Sequence, residues 1–226
     1  HDLPADALVQ MTSSSREDLK ELLTLDHLID LVIPRGGESL IRFVAETSRI
    51  PTVQHYHGVC HCFVHRSDDI DEAVRIIMNA KTSAPATCNA LECALIDAPV
   101  ARACAEKLGV EAEKRGVELR GDGRFCDLVR TATRAAEDDW GREFLDLILA
   151  VRVVDDIDGA IAHISTYGSA HTDAICATDH AALSRFTREV LSSCVLTNAS
   201  TRFNDGFELG LGAESGISTQ RVHAFG

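Results

Sequence analysis

Short runs of branched apolar residues recur along this chain with amphipathic stretches between them, and that alternation restricts the fold more than any single residue does. Leu28–Ile33 reads Leu-Ile-Asp-Leu-Val-Ile and is halted by Pro34, Gly36 and Gly37. Helical spacing follows, with Leu40, Ile41, Val44 and Ala45 on one face, and then a second short strand at Pro51–Val53. Strand, glycine turn, helix, strand is the building block of a parallel sheet. Cys60–Val64 predicts the next strand. Beyond it, Ser67, Asp68 and Asp69 offer N-cap groups, and Ile70, Ala73, Val74, Ile77 and Met78 keep the rhythm of one buried helical face. That helix must end before Pro85, which leaves Thr82–Thr87 as a loop presenting Cys88.

The same alternation continues. Ala94–Ile96 predicts a strand, Pro99–Leu108 a helix, and a polar stretch then runs through Asp139. Leu147–Val154 predicts another strand. Asp155–Asp158 caps a helix carrying Ile157, Ala160, Ile161 and Ile164. A strand at Ala174–Ala177, a helix at Ala181–Leu191 and a strand at Cys194–Leu196 complete the pattern, and the glycine-rich tail from Asn204 to Gly216 is a loop. The fold class is α/β.

Charge narrows the function. Lys and Arg number 22 against 35 Asp and Glu, a net charge of −13, so nucleic acid and anionic membrane surfaces are repelled overall. No apolar run approaches the ~20 residues of a membrane span, and no signal-peptide pattern opens the chain. The expectation is a soluble, cytoplasmic protein. The eight cysteines are scattered through apolar segments with no CxxC pair, which reads as buried thiols and not as a disulfide framework. The chain opens at His1 and closes at Gly226, and both ends read as cut from something longer.

Three features offer chemistry. Cys88 follows a Lys-Thr-Ser-Ala-Pro-Ala-Thr loop and precedes Asn89, where a helix could begin; a thiol at a helix N-terminus is biased toward thiolate, and Lys81 would add positive charge if the loop folds back. Against that stands the ordinary fate of a free cysteine in an apolar neighbourhood, which is core. The segment from His55 to His65 holds His55, His57, Cys60 and Cys62, but none of the common zinc spacings, and strand alternation turns His61 away from Cys60 and Cys62. No metal is expected. Pro34-Arg35-Gly36-Gly37 lies between a strand and a helix, where backbone N–H groups can meet a phosphate or a nicotinamide, although GxGxxG is absent. Glu143, beside Trp140 and just before a buried strand, can place a carboxylate at a sheet edge.

Taken together, these segments resemble one family in order and spacing. Leu31-Val-Ile-Pro-Arg-Gly-Gly37, Asn79-Ala-Lys-Thr82, Cys88-Asn-Ala-Leu-Glu92, Tyr167-Gly-Ser with His171-Thr-Asp173, and Asn198-Ala-Ser-Thr-Arg-Phe203 are similar to γ-glutamyl phosphate reductase, of the aldehyde dehydrogenase superfamily. So is Leu211–Thr219, followed by Arg221 and His223-Ala224. The likeness covers the C-terminal portion of that family's chain.

The resemblance implies an aldehyde dehydrogenase-like fold: a parallel-sheet catalytic domain plus part of a Rossmann-like cofactor domain. On it, residues 1–57 finish the NADP-binding domain, 58–205 form the cysteine domain, and 206–226 return toward the domain interface. It implies NADPH-dependent reduction of L-glutamyl 5-phosphate to L-glutamate 5-semialdehyde in proline biosynthesis, with release of phosphate. Cys88 is the implied nucleophile, and its own N–H the oxyanion donor. Glu143 is implied at the nicotinamide ribose, with Arg35, Gly36 and Gly37 also toward the cofactor. Asn198, Ser200 and Thr201 fall where relatives with glutamate-like substrates anchor the α-carboxylate. Val53-Gln54-His55 stands where hydrolytic relatives carry a water-activating glutamate.

The implied partners are the small-molecule substrate, a second copy of the full-length chain, and a glutamate kinase as partner or fusion. Departures exist: the first half of the family's chain has no counterpart, Glu208-Leu209 replaces Phe-Gly, and Phe225 stands where an arginine is usual. The rival expectation is a non-catalytic remnant or interaction domain derived from that enzyme.

Overall fold

The computed structural model describes residues 4, 6–53, 57–66 and 69–212, with the Glu38 side chain also left aside. The chain divides into two compact units, His1–Gln54 and His55–Gly226. His55, the N-cap candidates Ser67 and Asp68, and the motif beyond Gly212 lie outside the described residues.

In the first unit, α1 (Arg16–Leu22) starts at Ser15, whose side chain accepts from the N–H groups of Glu17 and Asp18. Helix α2 (Glu38–Thr47) starts at Gly37 with no side-chain cap. Leu23, Ile41, Val44 and Ile50 are buried. The strand expected at Leu28–Ile33 does not form. Only an isolated parallel bridge, Val32 to Thr52, remains of it, and Leu28, Leu31 and Ile33 are exposed. A branched apolar run becomes a strand when neighbours cover both of its faces, and within this unit nothing does.

The second unit is built on strands β1 (Cys60–Val64), β2 (Leu91–Asp97), β3 (Glu118–Gly121), β4 (Thr133–Arg134), β5 (Ile148–Val154), β6 (Thr172–Cys176) and β7 (Cys194–Thr197). They form one all-parallel sheet in the order β4-β3-β5-β2-β1-β6-β7. The three strands β1, β2 and β6 are buried at every residue, as a parallel sheet covered on both faces requires. One face, with Cys62, Val64, Ala94 and Ile96, packs on α3 (Ile70–Thr82) and α4 (Ala101–Arg115) through Ile77, Cys104 and Leu108. The other, with Phe63, Leu95 and Ile175, packs on α6 (Ile157–Tyr167) and α7 (His180–Glu189) through Ile164 and Phe186. The short α5 (Gly123–Cys126) follows β3.

Caps set the element ends. Asp69 starts α3, Asp156 starts α6 and Asp179 starts α7, each accepting from first-turn N–H groups. Helix α4 stops at Gly116, left-handed at φ 68°, a conformation that side chains resist. The polar stretch before Asp139 holds β3 and β4, which the hydrophobic pattern does not mark. Beyond β7 the chain turns at Asn198 (φ 51°) and runs back beside α3 to a 3₁₀ turn at Thr201–Phe203. This return segment brings distant residues to the site.

Candidate active site

All seven strands point the same way, so the sheet has an amino-terminal and a carboxyl-terminal edge. Cys88 is at the amino-terminal edge, in a turn closed by Ala90 N–H donating to Thr87 C=O (2.9 Å) just before β2. No helix starts at Asn89. The expected helix-dipole activation of Cys88 is thereby overturned: Leu91–Asp97 is a fully buried central strand, a place its alternating neighbours on β1 and β5 fill with ladder bonds. Cys88 itself is half-buried.

Backbone packs directly on this turn. A Cβ at Gly58 would lie 2.0 Å from the carbonyl oxygen of Cys88, so glycine is required there by close approach. Gly58 N–H donates to Glu143 Oε1 (3.0 Å), and Val59 N–H to Ser169 Oγ (2.8 Å). Among the described residues the second carboxylate oxygen of Glu143 makes no hydrogen bond. The Cys60 thiol donates to the same Cys88 carbonyl (3.3 Å) and lies 3.8 Å from His171 Nδ1. Burial first, then the charges of Asp173, Cys88 and Glu92, push the Cys60 thiol well above the usual range, so Cys60 stays protonated.

Beneath the turn lies a buried ion pair. Lys81 Nζ sits 2.7 Å from Glu92 Oε2, with side chains 0% and 1% exposed. Burial raises Glu92 to about 7 and lowers Lys81, and each charge partly offsets the other's desolvation. Lys81 therefore answers Glu92, and its charge is not spare. Leu145 N–H donates to Glu92 Oε1 (3.4 Å) from a left-handed backbone (φ 56°), two residues from Glu143. A non-glycine residue held there costs energy that surrounding structure must supply.

The return segment closes the other side. Thr201, fully buried, donates its hydroxyl to Asn89 C=O (2.7 Å), and Asn89 Nδ2 donates to Asn204 C=O (3.0 Å). Asn204 Nδ2 donates to Thr172 Oγ1 (2.7 Å), which is 2.8 Å from His171 Nδ1. Arg202 Nη1 donates to Thr87 Oγ1 (3.0 Å) and to Asn89 Oδ1. Ser200 Oγ accepts from Arg202 N–H (3.3 Å). Asn198 is elsewhere: its Oδ1 accepts from Ala177 N–H (2.8 Å) and its Nδ2 donates to Ala177 C=O (2.9 Å), at the carboxyl-terminal edge.

The structure thus gathers Cys88, Glu143 and Thr201 at one edge, with Ser200 in the same return segment. Arg35, Gly36 and Gly37 belong to the first unit, where Gly36 has φ 152°. Sequence reasoning misses the contributions of Gly58, Lys81–Glu92 and Arg202. A glutamate inside the apolar run Leu-Glu-Cys-Ala-Leu-Ile was the available signal, because a carboxylate in a buried strand demands a cation.

The expected divergence of the β1 side chains holds for the described residues. Cys60 and Cys62 are buried while His57 is exposed, and His61 faces the opposite side. There His61, Cys93 and His163 bring ligand-type atoms within 4.8 Å of one another. Arg152 Nη1 lies 3.1 Å from His163 Nδ1 and can only donate, so Nε2 carries the proton and points at Cys93 Sγ (3.7 Å). That tautomer has no lone pair for a cation. Burial, with the charges of His61 and Arg152, lowers His163 to about 3. His61 is raised to about 10: burial alone lowers it, and Asp173, 3.2 Å away, outweighs burial with help from Cys93.

Comparison with known proteins bears on this arrangement. No family model matches the chain. A γ-glutamyl phosphate reductase of Sorangium cellulosum is 54% identical over 224 residues, 99% of this chain and 52% of that one. The crystal structure of a γ-glutamyl phosphate reductase from Thermotoga maritima superposes with a TM-score of 0.91 at 42% identity, over 96% of this chain and 52% of that one. An acetylating aldehyde dehydrogenase from Geobacillus thermoglucosidasius shares the fold, with a TM-score of 0.66 at 18% identity over 99% of this chain and 56% of that one. The chain spans about half the length of the relatives it matches.

Proposed function

We propose that the chain, 54% identical to a γ-glutamyl phosphate reductase and spanning about half the length of the relatives it matches, is of that family and carries the catalytic cysteine of a reductase converting L-glutamyl 5-phosphate to L-glutamate 5-semialdehyde. The observation that supports this most is the turn Thr87–Ala90. It holds the backbone of the half-buried Cys88 against Gly58 at the sheet's amino-terminal edge, in a chain 54% identical to a named reductase.

In this reading the Cys88 thiolate attacks the acyl carbon, the C–O bond to phosphate breaks, and inorganic phosphate leaves with that bond's electron pair. A thioester to Cys88 remains. NADPH supplies the hydride that reduces it when bound. The hemithioacetal on Cys88 then collapses to the aldehyde and releases the thiolate. The neighbouring Cys60 thiol is held protonated by burial, so it does not compete as nucleophile; it stiffens the turn by donating to the Cys88 carbonyl. The N–H of Cys88 is the oxyanion donor in this proposal.

Each unit, taken by itself, offers groups of the kind the cofactor needs. Glu143 keeps one carboxylate oxygen for a ribose hydroxyl while the other holds Gly58 N–H. In the first unit, α2 begins at Gly37 without a side-chain cap, and a Cβ there would meet nothing within 4 Å, so backbone N–H groups at Arg35-Gly36-Gly37 suit an anionic or amide ligand. Assignment of the substrate α-carboxylate to Asn198, Ser200 and Thr201 rests on the resemblance. We also propose NADPH over NADH, a cytoplasmic place in proline biosynthesis, and pairing of full-length chains, all on the relatives' identity. No helix among the described residues is long and apolar enough to cross a membrane.

The test is reduction of NADP⁺ by glutamate 5-semialdehyde. Turnover is expected to need added phosphate and to vanish in Cys88→Ser. Phosphate-independent turnover, or activity retained in Cys88→Ser, overturns the reading. A folded chain with no turnover at all favours the second reading, a non-catalytic relative.

A further inference from the structure

Arg202 is spent on neutral partners. Its Nη1 donates to Thr87 Oγ1 and Asn89 Oδ1, the side chains on either side of Cys88, and no carboxylate among the described residues lies within ion-pair distance of it. Its Nε–H is buried and has no hydrogen-bond partner among the described residues, and Nη2 makes none there. An unsatisfied buried donor costs free energy, and a charged one costs more. The unused pair is the side fork of the guanidinium, Nε–H with Nη2–H. Two parallel donors in that spacing match two oxygens of a phosphate or carboxylate.

The surroundings suit an anion. Arg202 lines a cleft of about 620 Å³ between α3 and the return segment, with Arg75, Asn79, Ser83 and Ser200. Two acids line it too, and they weaken the field. Glu72 is already paired with Arg75, and Glu208 is exposed. Thr201 and Asn204 anchor the segment through Asn89 and Thr172, so the backbone that carries Arg202 is held on both sides of it.

We propose that Arg202 is an anion-binding residue whose free guanidinium fork takes a phosphoryl oxygen pair at the Cys88 turn. In the reductase reading, on which the identity of the anion rests, this is the phosphate that leaves as the thioester forms. Holding it by a cation that also grips residues 87 and 89 couples departure of the leaving group to the position of the nucleophile. A carboxylate would fit the same fork, and the experiment separates the two.

Inorganic phosphate is titrated into the full chain by calorimetry, with acetate and sulfate as comparisons. In parallel, the rate at which iodoacetamide alkylates Cys88 is read by peptide mass spectrometry with and without phosphate. Saturable phosphate binding that slows Cys88 alkylation is expected in the wild type. Arg202→Met should weaken that binding about tenfold or more, the loss of one charge-assisted bidentate contact. Arg202→Lys should fall between, since it keeps the charge and loses the fork. Should Arg202→Met not fold, Arg202→Gln and Arg202→Lys are read in the same way, and equal phosphate affinity in wild type and variants overturns the proposal. So does an absence of phosphate binding to the wild type, or acetate binding more tightly than phosphate. None of these readouts needs turnover. Failure of the reductase reading would instead show as Cys88→Ser retaining activity, which leaves the phosphate result intact.

Discussion

The two edges of this parallel sheet are built in opposite ways. At the carboxyl-terminal edge, charge is neutralised within the protein. Asp97, fully buried, receives Arg66 through Nε (2.7 Å) and Nη2 (2.9 Å), and Arg124 reaches Asp155 (2.6 Å). Asp122 and Asp156 spend their carboxylates on capping α5 and α6. A cleft of about 580 Å³ opens there, and the satisfied groups Asp122, Arg124, Asp155 and Asp156 line it. At the amino-terminal edge, beside the half-buried Cys88, a carboxylate oxygen on Glu143 and the Arg202 fork are left without hydrogen-bond partners among the described residues. Open parallel sheets as a rule bind ligands outside the carboxyl ends of their strands. The proposed site lies at the other edge, and it is the chemistry of individual side chains, not that rule, that points there.

This contrast is broken most severely by Lys81→Met. It leaves Glu92 ionisable, buried and without its cation, and should cost about 3–5 kcal/mol in urea unfolding, with the double variant Lys81→Met/Glu92→Gln recovering much of the loss. An unchanged midpoint in the single variant would mean that the pair is not buried as described. Next is Gly58→Ala, whose Cβ collides with backbone at Cys88. Overpacking of that kind costs about 1–3 kcal/mol, and because the collision is at the proposed nucleophile, turnover should fall further than stability does. Equal losses would reduce Gly58 to a packing residue.

Arg66→Ala sharpens the comparison from the other edge. It strips the partner from Asp97, so the melting temperature should drop while the phosphate-dependent rate per folded molecule stays the same. A lost rate would place chemistry at the wrong edge. The last effect is one of pH, small per pH unit. His163 is held neutral, with its folded value at about 3 and an ordinary unfolded one near 6.5. The unfolded chain therefore binds a proton that the folded chain refuses between those values. Its contribution to stability, present above the unfolded value, is lost as pH falls toward 3, at no more than about 1.4 kcal/mol per pH unit. Subtracting the His163→Gln curve from that of the wild type isolates this limb, and a zero difference would contradict the assignment.

What the sequence disclosed follows from where periodicity carries information. Cys60–Val64 and the helix from Ile70 are read without error because a buried strand and a one-faced helix print their periods in local residue order. Leu28–Ile33 carries the same print and is no strand, since pairing depends on neighbours that composition does not report. Glu118–Gly121, with a single fully apolar side chain, is a strand only because Ile148–Val151 lies beside it. Cys88 was legible as an isolated thiol before a new element, although the element proved to be a strand. Arg202 was not, because its partners at Thr87 and Asn89 are 115 and 113 residues away and no local pattern joins them.

The account stands or falls on Cys88 being the reactive group at the amino-terminal edge, and competitive iodoacetamide labelling of the eight cysteines tests that most directly. Cys88 should be modified first, ahead of the other half-buried thiols Cys126 and Cys194, the latter raised by burial and by Asp173. Loss of phosphate-dependent NADP⁺ reduction should track its modification one for one. Faster labelling of Cys126 or Cys194, or full turnover with Cys88 already alkylated, would contradict it.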